Sequence, residues 1–318
     1  SYSFYAIRDV TIISGYLLLF IFWFRAPGFV ADLALATIAL CMMIEVLNKI
    51  GNSSELSIGE IYTLLGLSDS PSNDLYGSDG GVLESSLGFS IGIILLYYLH
   101  CRKWTGALVA TLLMLLAFKR ISFFGVALAV AFDIVFGRIT TPRTRAFLAV
   151  VAVVALSILA IFSTQLFEGV ADTAYLDGFS ANGLSLGRYE LAIKLWDEME
   201  SGSLLNRMVG FGPAAADTML ESYAVLEGSE VNPHNDWLKI LFDYGMAGFV
   251  AMHVVLFLNL ARHRLGLMLY LYTASAMVTD NVLIYMFYHP FIALVMCAER
   301  GREKDAAGFR RPVQKRFQ

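Results

Sequence analysis

"NPHNDWLKILFDYGMAGF", Asn232 to Phe249, is polar in its first third and apolar beyond it. From Trp237 onward it reads as a helix entering a membrane, and just before it stand Pro233, His234, Asn235 and Asp236. Asn235 or Asp236 is a natural N-cap, because a short side-chain oxygen there accepts a hydrogen bond from a free N–H of the first turn. His234 then stands one or two residues outside the helix mouth. The positive end of a helix dipole disfavours imidazolium and favours an anion. The spacing therefore predicts a neutral histidine, able to take a proton, beside a place that welcomes phosphate. The competing reading is a histidine that merely neighbours a cap.

The surroundings of this stretch settle the solvent. Apolar residues make up 57% of the chain and charged residues 16%, with a mean hydropathy of +0.63. An ordinary water-soluble domain is far less apolar. A spanning helix needs about 20 mostly apolar residues, fewer where neighbours shield its ends. Nine stretches qualify, near residues 9–24, 28–48, 85–99, 104–118, 121–137, 146–163, 237–260, 265–279 and 282–298. The expected fold class is all-α: a polytopic transmembrane helix bundle of about nine spans, forming a single integral membrane domain over residues 1–318. Two polar stretches interrupt it, a first loop over 51–84 and a long, partly helical loop over 164–236. A basic tail follows over 299–318. Cys41, Cys101 and Cys297 lie in or at the ends of apolar stretches without metal-type spacing, and read as ordinary buried thiols.

Basic residues orient the bundle. With the tail placed in the cytoplasm, alternation puts "HCRKW", "GRITTPRTR" and "ARHR" there too, and that side holds 15 of the 23 Lys and Arg residues. The opposite side holds both long loops and 18 of the 27 acidic residues. The N-terminus then falls outside. The chain opens without the pattern of a signal peptide, so further helices are expected to precede Ser1.

Eight basic residues are exceptions on the outer side: Arg8, Lys49, Lys119, Arg120, Arg188, Lys194, Arg207 and Lys239. Lys119 and Arg120 form a tight turn in "LLMLLAFKRISFFGVAL". Either they snorkel to the interface, or the Arg120 guanidinium captures a phosphate in bidentate fashion. In "SLGRYELAIKLWDEM", Tyr189, Ala192, Ile193, Trp196 and Met199 share a face opposite Glu190, Lys194, Asp197 and Glu198. That is an amphipathic helix lying along the outer interface or capping the bundle, with an aromatic stripe suited to packing. Arg188 sits in its first turn, where the dipole does not favour a cation. It either pairs with a loop carboxylate or waits for an anionic ligand. "MVGFGPAA" follows, a turn whose Gly210 and Gly212 bring backbone close to a neighbour.

This ordered set resembles the O-antigen ligase and polymerase superfamily of bacterial membrane glycosyltransferases. The matching elements are "FKRISFFGVAL", "LGRYELAIKLW", "VGFGPAA", "PHNDWLKILFDYGMAGF" and the late turn "VTDNVLIY", covering roughly Leu87 to Ala298. The resemblance implies transfer of a glycan from undecaprenyl diphosphate at the periplasmic face of the inner membrane, with no metal and no cofactor. It implies catalytic roles for Arg120, Arg188 and His234, and substrate contacts at Lys119, Asn235, Asp236, Gly210 and Gly212. The implied partners are the lipid-linked donor, a glycan or lipid A core acceptor, the bilayer, and flippase and chain-length regulator proteins, with no nucleic acid. The family's ligases often carry Ser-Arg where this chain has Lys119–Arg120, which leans toward a polymerase. A transporter or flippase is the rival from another class, resting on Asp32, Glu45 and Asp133 as intramembrane ionisable residues. A non-catalytic assembly scaffold would need none of His234, Arg188 or Arg120.

Overall fold

The computed structural model describes residues 29–52, 87–117, 120–139, 141–173, 188–227, 235–261, 263–280, 282–285 and 288–309. Among them every regular element is a helix. In order they are α1 Phe29–Asn52, α2 Leu87–Cys101, α3 Trp104–Leu116, α4 Arg120–Ile139, α5 Pro142–Thr173 and α6 Arg188–Ser201. There follow α7 Leu204–Val209, α8 Ala215–Glu227, α9 Asp236–Leu260, α10 Arg264–Thr279, a 3-10 turn Val282–Ile284, and α11 Tyr288–Phe309. Helices occupy eight of the nine apolar stretches; the first, 9–24, lies outside the described residues. Pro142–Phe162 and Asp236–Leu260 are long and apolar enough to cross a membrane by length and composition. Asp32–Cys41, Leu87–Cys101, Trp104–Leu115 and Ile121–Gly137 are shorter apolar helices, so a count of nine spans is not reached among the described residues. The last stretch begins later than expected and runs on, its helix carrying the first half of the basic tail to Phe309.

The chain divides into two compact units, residues 1–20 with 128–285 and residues 21–127 with 286–318. In the second unit α2 is the core. Gly88 through Tyr98 are all buried, as a helix apolar all round must be, and α1, α3 and α11 pack against it. At one end of this unit Asp32, in the first turn of α1, accepts hydrogen bonds from Tyr98 Oη at 2.7 Å and Lys103 Nζ at 3.2 Å. Beside the end of α2, Glu299 receives Arg302 through Nε at 2.8 Å and Nη2 at 2.6 Å, with His100 Nε2 at 3.0 Å. Burial alone would raise the Glu299 carboxyl, but the hydrogen bonds from Arg302 and His100 outweigh it and hold it at about 2.

In the first unit α10 takes the core position, with α5 and α9 against it. Arg264 grips Asp133 through two parallel hydrogen bonds, and Arg145 Nη2 donates to the Gly137 carbonyl at 2.9 Å, closing the end of α4. Asp32 and Asp133, two of the three residues that would favour a transporter, are thus ion-paired, Asp32 in the first turn of α1 and Asp133 with the first residue of α10. The side chain of the third, Glu45, lies outside the described residues. The outward faces are apolar in rows at helical spacing: Phe147, Val151 and Ile158 on α5, Leu108, Leu112 and Leu115 on α3. A water-soluble domain does not expose rows of this kind. They mark a helical protein of membrane type. Cys297 is buried and Cys101 half-buried, whereas Cys41 faces outward from α1.

Candidate functional site

α9 is not a straight helix. Gly245 has φ 64° and ψ −167°, a backbone state open to glycine and strained for any other residue. The rings of Trp237 and His253 nevertheless stack, with centroids 4.5 Å apart and planes at 10°. Sixteen residues of continuous helix would separate them by about 24 Å. The two halves, 236–244 and 246–260, therefore fold back on each other with Gly245 at the tip. The chain does not simply enter the membrane at Trp237. Each ring sits about 12 Å along its arm from the tip, so the mouth of α9 opens well inside the hairpin's end rather than at it.

A turn from the preceding segment closes the tip. Breaking a helix deprives the last carbonyls of the first arm of their partners four residues on. Phe211 N–H donates to Phe242 O at 3.0 Å and Gly212 N–H to Asp243 O at 2.9 Å, and the Phe211 ring stacks on Phe242 at 4.6 Å. Gly210 has φ 88°, and a methyl carbon placed on it would lie 2.2 Å from Asp243 O. One placed on Gly245 would lie 2.5 Å from the Met208 carbonyl carbon. Two glycines thus interlock, and the close approach expected of Gly210 and Gly212 is to the broken end of α9.

Beneath the tip lies a buried ionic cluster. Lys239 Nζ reaches Asp243 Oδ2 at 2.7 Å and Asp217 Oδ2 at 3.0 Å. Asp243 Oδ1 accepts the Ala216 N–H at 2.7 Å. All three charged side chains are buried. The first turn of α8 adds its dipole and that N–H to the neutralisation of the carboxylates. The sequence reading counted Lys239 only as an outer cation. The missed signal was Lys239–Asp243 at i, i+4 inside an apolar run, one helical face.

The mouth is held as firmly as the tip. Asn235 is the N-cap: its Oδ1 accepts the Leu238 N–H at 3.1 Å and its Nδ2 donates to Ala160 O on α5 at 2.9 Å. Asp236 is fully buried, and its Oδ2 accepts the Leu283 N–H at 3.0 Å from the turn after α10. Trp237 donates Nε1–H to Ala274 O at 3.1 Å. One turn before Ala160, Ser157 Oγ donates to Val154 O at 2.9 Å and meets His253 Nε2 at 3.1 Å. The Ser157–His253 contact ties the second arm of α9 to α5. Sequence reasoning did not single out His253, because a histidine within an apolar run carries no spacing signal.

α6 begins at Arg188 as expected, but its apolar face is Leu191, Ala192, Leu195 and Met199, all buried. It packs against α5 and α9. Trp196 Nε1 donates to Ile161 O at 3.2 Å and its ring lies against Phe162, so the aromatic stripe is packing. The structure therefore sets Asn235 and Asp236 at the start of one hairpin and Gly210 and Gly212 against its tip, with the helix opened by Arg188 packed beside it. Arg120 opens α4 and belongs to the second unit. His234 and Lys119 lie outside the described residues. Among the described residues no three His, Cys, Asp or Glu side chains are grouped to hold a metal ion.

Residues 105–253 match the family model described as O-antigen ligase. That stretch runs from α3 to the second arm of α9 and contains the basic turn, the arginine helix, the glycine turn and the mouth. Over that stretch, a little under half of its length, the chain is similar to the O-antigen ligase family. No curated protein and no solved structure matches it.

Proposed function

We propose that this chain polymerises lipid-linked oligosaccharide repeat units at the periplasmic face of the inner membrane, by inverting transfer from undecaprenyl diphosphate without a metal ion. The observation that carries the reading is the anchored mouth of α9. Asn235, Asp236 and Trp237 bind three different elements there, and His234 is bonded directly to the first of them within the family-matched stretch. A base needs such a fixed platform, because proton transfer demands placement within hydrogen-bond reach.

In the proposed step an acceptor hydroxyl attacks the anomeric carbon of the donor glycan from the face opposite the diphosphate. The bond from that carbon to the phosphate oxygen breaks, and undecaprenyl diphosphate leaves with the electron pair. His234 takes the hydroxyl proton, help typically worth about a hundred- to ten-thousand-fold in rate. Arg120 and Arg188 offset the charge developing on the diphosphate. The long loop is then periplasmic and the tail cytoplasmic, as the distribution of basic residues favours. Transfer to a lipid A core is the second reading. The description of the matched family favours it, whereas the paired Lys119–Arg120 favours the polymerase.

Surface glycan from a deletion strain separates the two. A core bearing one repeat unit indicates the polymerase; free polymer with a bare core indicates the ligase. The residue roles are tested with reconstituted protein and purified lipid-linked glycan in EDTA, with donor binding and transfer measured separately. His234→Ala is expected to cut transfer at least a hundredfold while donor binding persists. Arg120→Lys is expected to lose most activity despite keeping its charge. Near-normal transfer by His234→Ala removes its role as base, and a requirement for Mg²⁺ removes the metal-free account.

A further inference from the structure

The amphipathic helix expected along the membrane interface or capping the bundle is α6, and its apolar face is covered by protein. The uncovered face belongs to α7. Leu204 is 78% and Leu205 69% exposed, and Met208 and Val209 are each exposed by half or more. At 100° per residue these four share one side of the helix, with Asn206 and Arg207 on the other. Isolated exposed leucines are common on soluble surfaces, but four large apolar side chains on a six-residue helix form a patch that needs a partner.

Two observations identify the partner. α7 leads directly into the glycine interlock, where the Met208 backbone packs on Gly245. The residue after Gly245 is Met246, the first of an exposed row, Met246, Val250 and Val254, that runs down the second arm of α9. The α7 patch therefore leads into an exposed apolar row on the second arm of a stretch apolar enough for a membrane. The opposite side of α7 carries Asn206 and Arg207, the polar face that a segment at the hydrocarbon boundary turns toward water.

We propose that α7 is an interfacial segment whose Leu204, Leu205, Met208 and Val209 are immersed in the acyl chains of the outer leaflet, pinning the tip of the α9 hairpin at the hydrocarbon boundary. The inference rests on α9 lying in a membrane and not on glycosyl transfer.

The test uses the full chain in vesicles of phosphatidylethanolamine and phosphatidylglycerol that contain no polyprenyl lipid. Nitroxide labels are placed at Leu205→Cys and Val209→Cys in a background with Cys41, Cys101 and Cys297 replaced by Ala. Collision with oxygen is expected to exceed collision with a water-soluble nickel chelate several-fold at both positions, as at Val250→Cys, and the order is expected to reverse at Ser201→Cys. Labels at 205 and 209 that behave like 201 overturn the proposal. Protection from both reagents overturns it too, because a protein surface then covers the patch. As a check without substitutions, a photoreactive probe carried on an acyl chain is expected to label residues 204–209 of the native chain. Labelling confined to other segments overturns the proposal.

Discussion

Lys239 and Lys103 each bond to an aspartate, and their surroundings could hardly differ more. Lys239 is 2% exposed, sits between two buried carboxylates, and shares one of them with a backbone N–H of α8. Lys103 is 43% exposed and meets an Asp32 that is more exposed still. Removing charge from water is costly unless every partner is in place, so the first cluster is intolerant of losing one member. An exposed pair trades protein contacts for water at little net gain. Similar bonds at similar distances therefore carry different weight in the two units, and burial decides which.

The sharpest way to break this contrast is at the latch that shapes the buried cluster. Gly245→Ala would force a non-glycine residue to φ 64° and press its methyl onto the Met208 backbone. The expected loss is about 4 kcal/mol or more, visible as a collapse of thermal stability in detergent. A near-native melting temperature would mean that the tip can relax. Next comes Lys239→Met, which removes the ammonium that both carboxylates share and is expected to cost about 3–5 kcal/mol. Adding Asp217→Asn and Asp243→Asn should recover part of that loss; if the triple variant is no more stable than the single one, charge is not the reason for the cost.

Glu299→Gln lies between the extremes. Its carboxylate is itself buried, but its partner Arg302 is half exposed. Loss of the charge-assisted bonds is expected to cost about 2 kcal/mol. The pH dependence sharpens the point. The folded carboxyl titrates below its ordinary 4.5, so its contribution is complete above that value and fades as the pH falls toward about 2. Wild type should therefore approach the stability of Glu299→Gln in acid, and a constant gap across that range would assign the effect to packing. The smallest expected effect is at Lys103→Ala, about 1 kcal/mol or less.

Eight helices stand where apolar runs predicted them, and the likeness to the O-antigen ligase family over 105–253 was legible from an ordered set of short motifs. The hairpin was not. Counting apolar residues over Trp237–Leu260 measures suitability for hydrocarbon and is blind to backbone direction, so a reversal inside the run leaves the count unchanged. Gly245 and Gly248 were visible in "YGMAGF", but the conformation of Gly245 follows from Gly210, thirty-five residues earlier. The two amphipathic segments teach the same lesson. The periodicity of α6 announced an amphipathic helix, but of the expected face only Ala192 and Met199 are buried among the described residues, and it could not say whether lipid or α5 would cover them. At the mouth, the cap at Asn235 was legible because capping is local. The bonds from Asn235 to Ala160 and from Asp236 to Leu283 were not, because nothing near them in sequence specifies their partners.

The stacked rings of Trp237 and His253 also make the hairpin observable by light. An indole in contact with an imidazole is sensitive to the separation of the two, and here that contact exists only while the arms are folded together. The chain has four tryptophans, so phenylalanine at positions 23, 104 and 196 would leave a single fluorophore at the mouth of α9. Its emission would then report opening and closing of the hairpin in the intact protein, on the time scale of the measurement and without an attached dye.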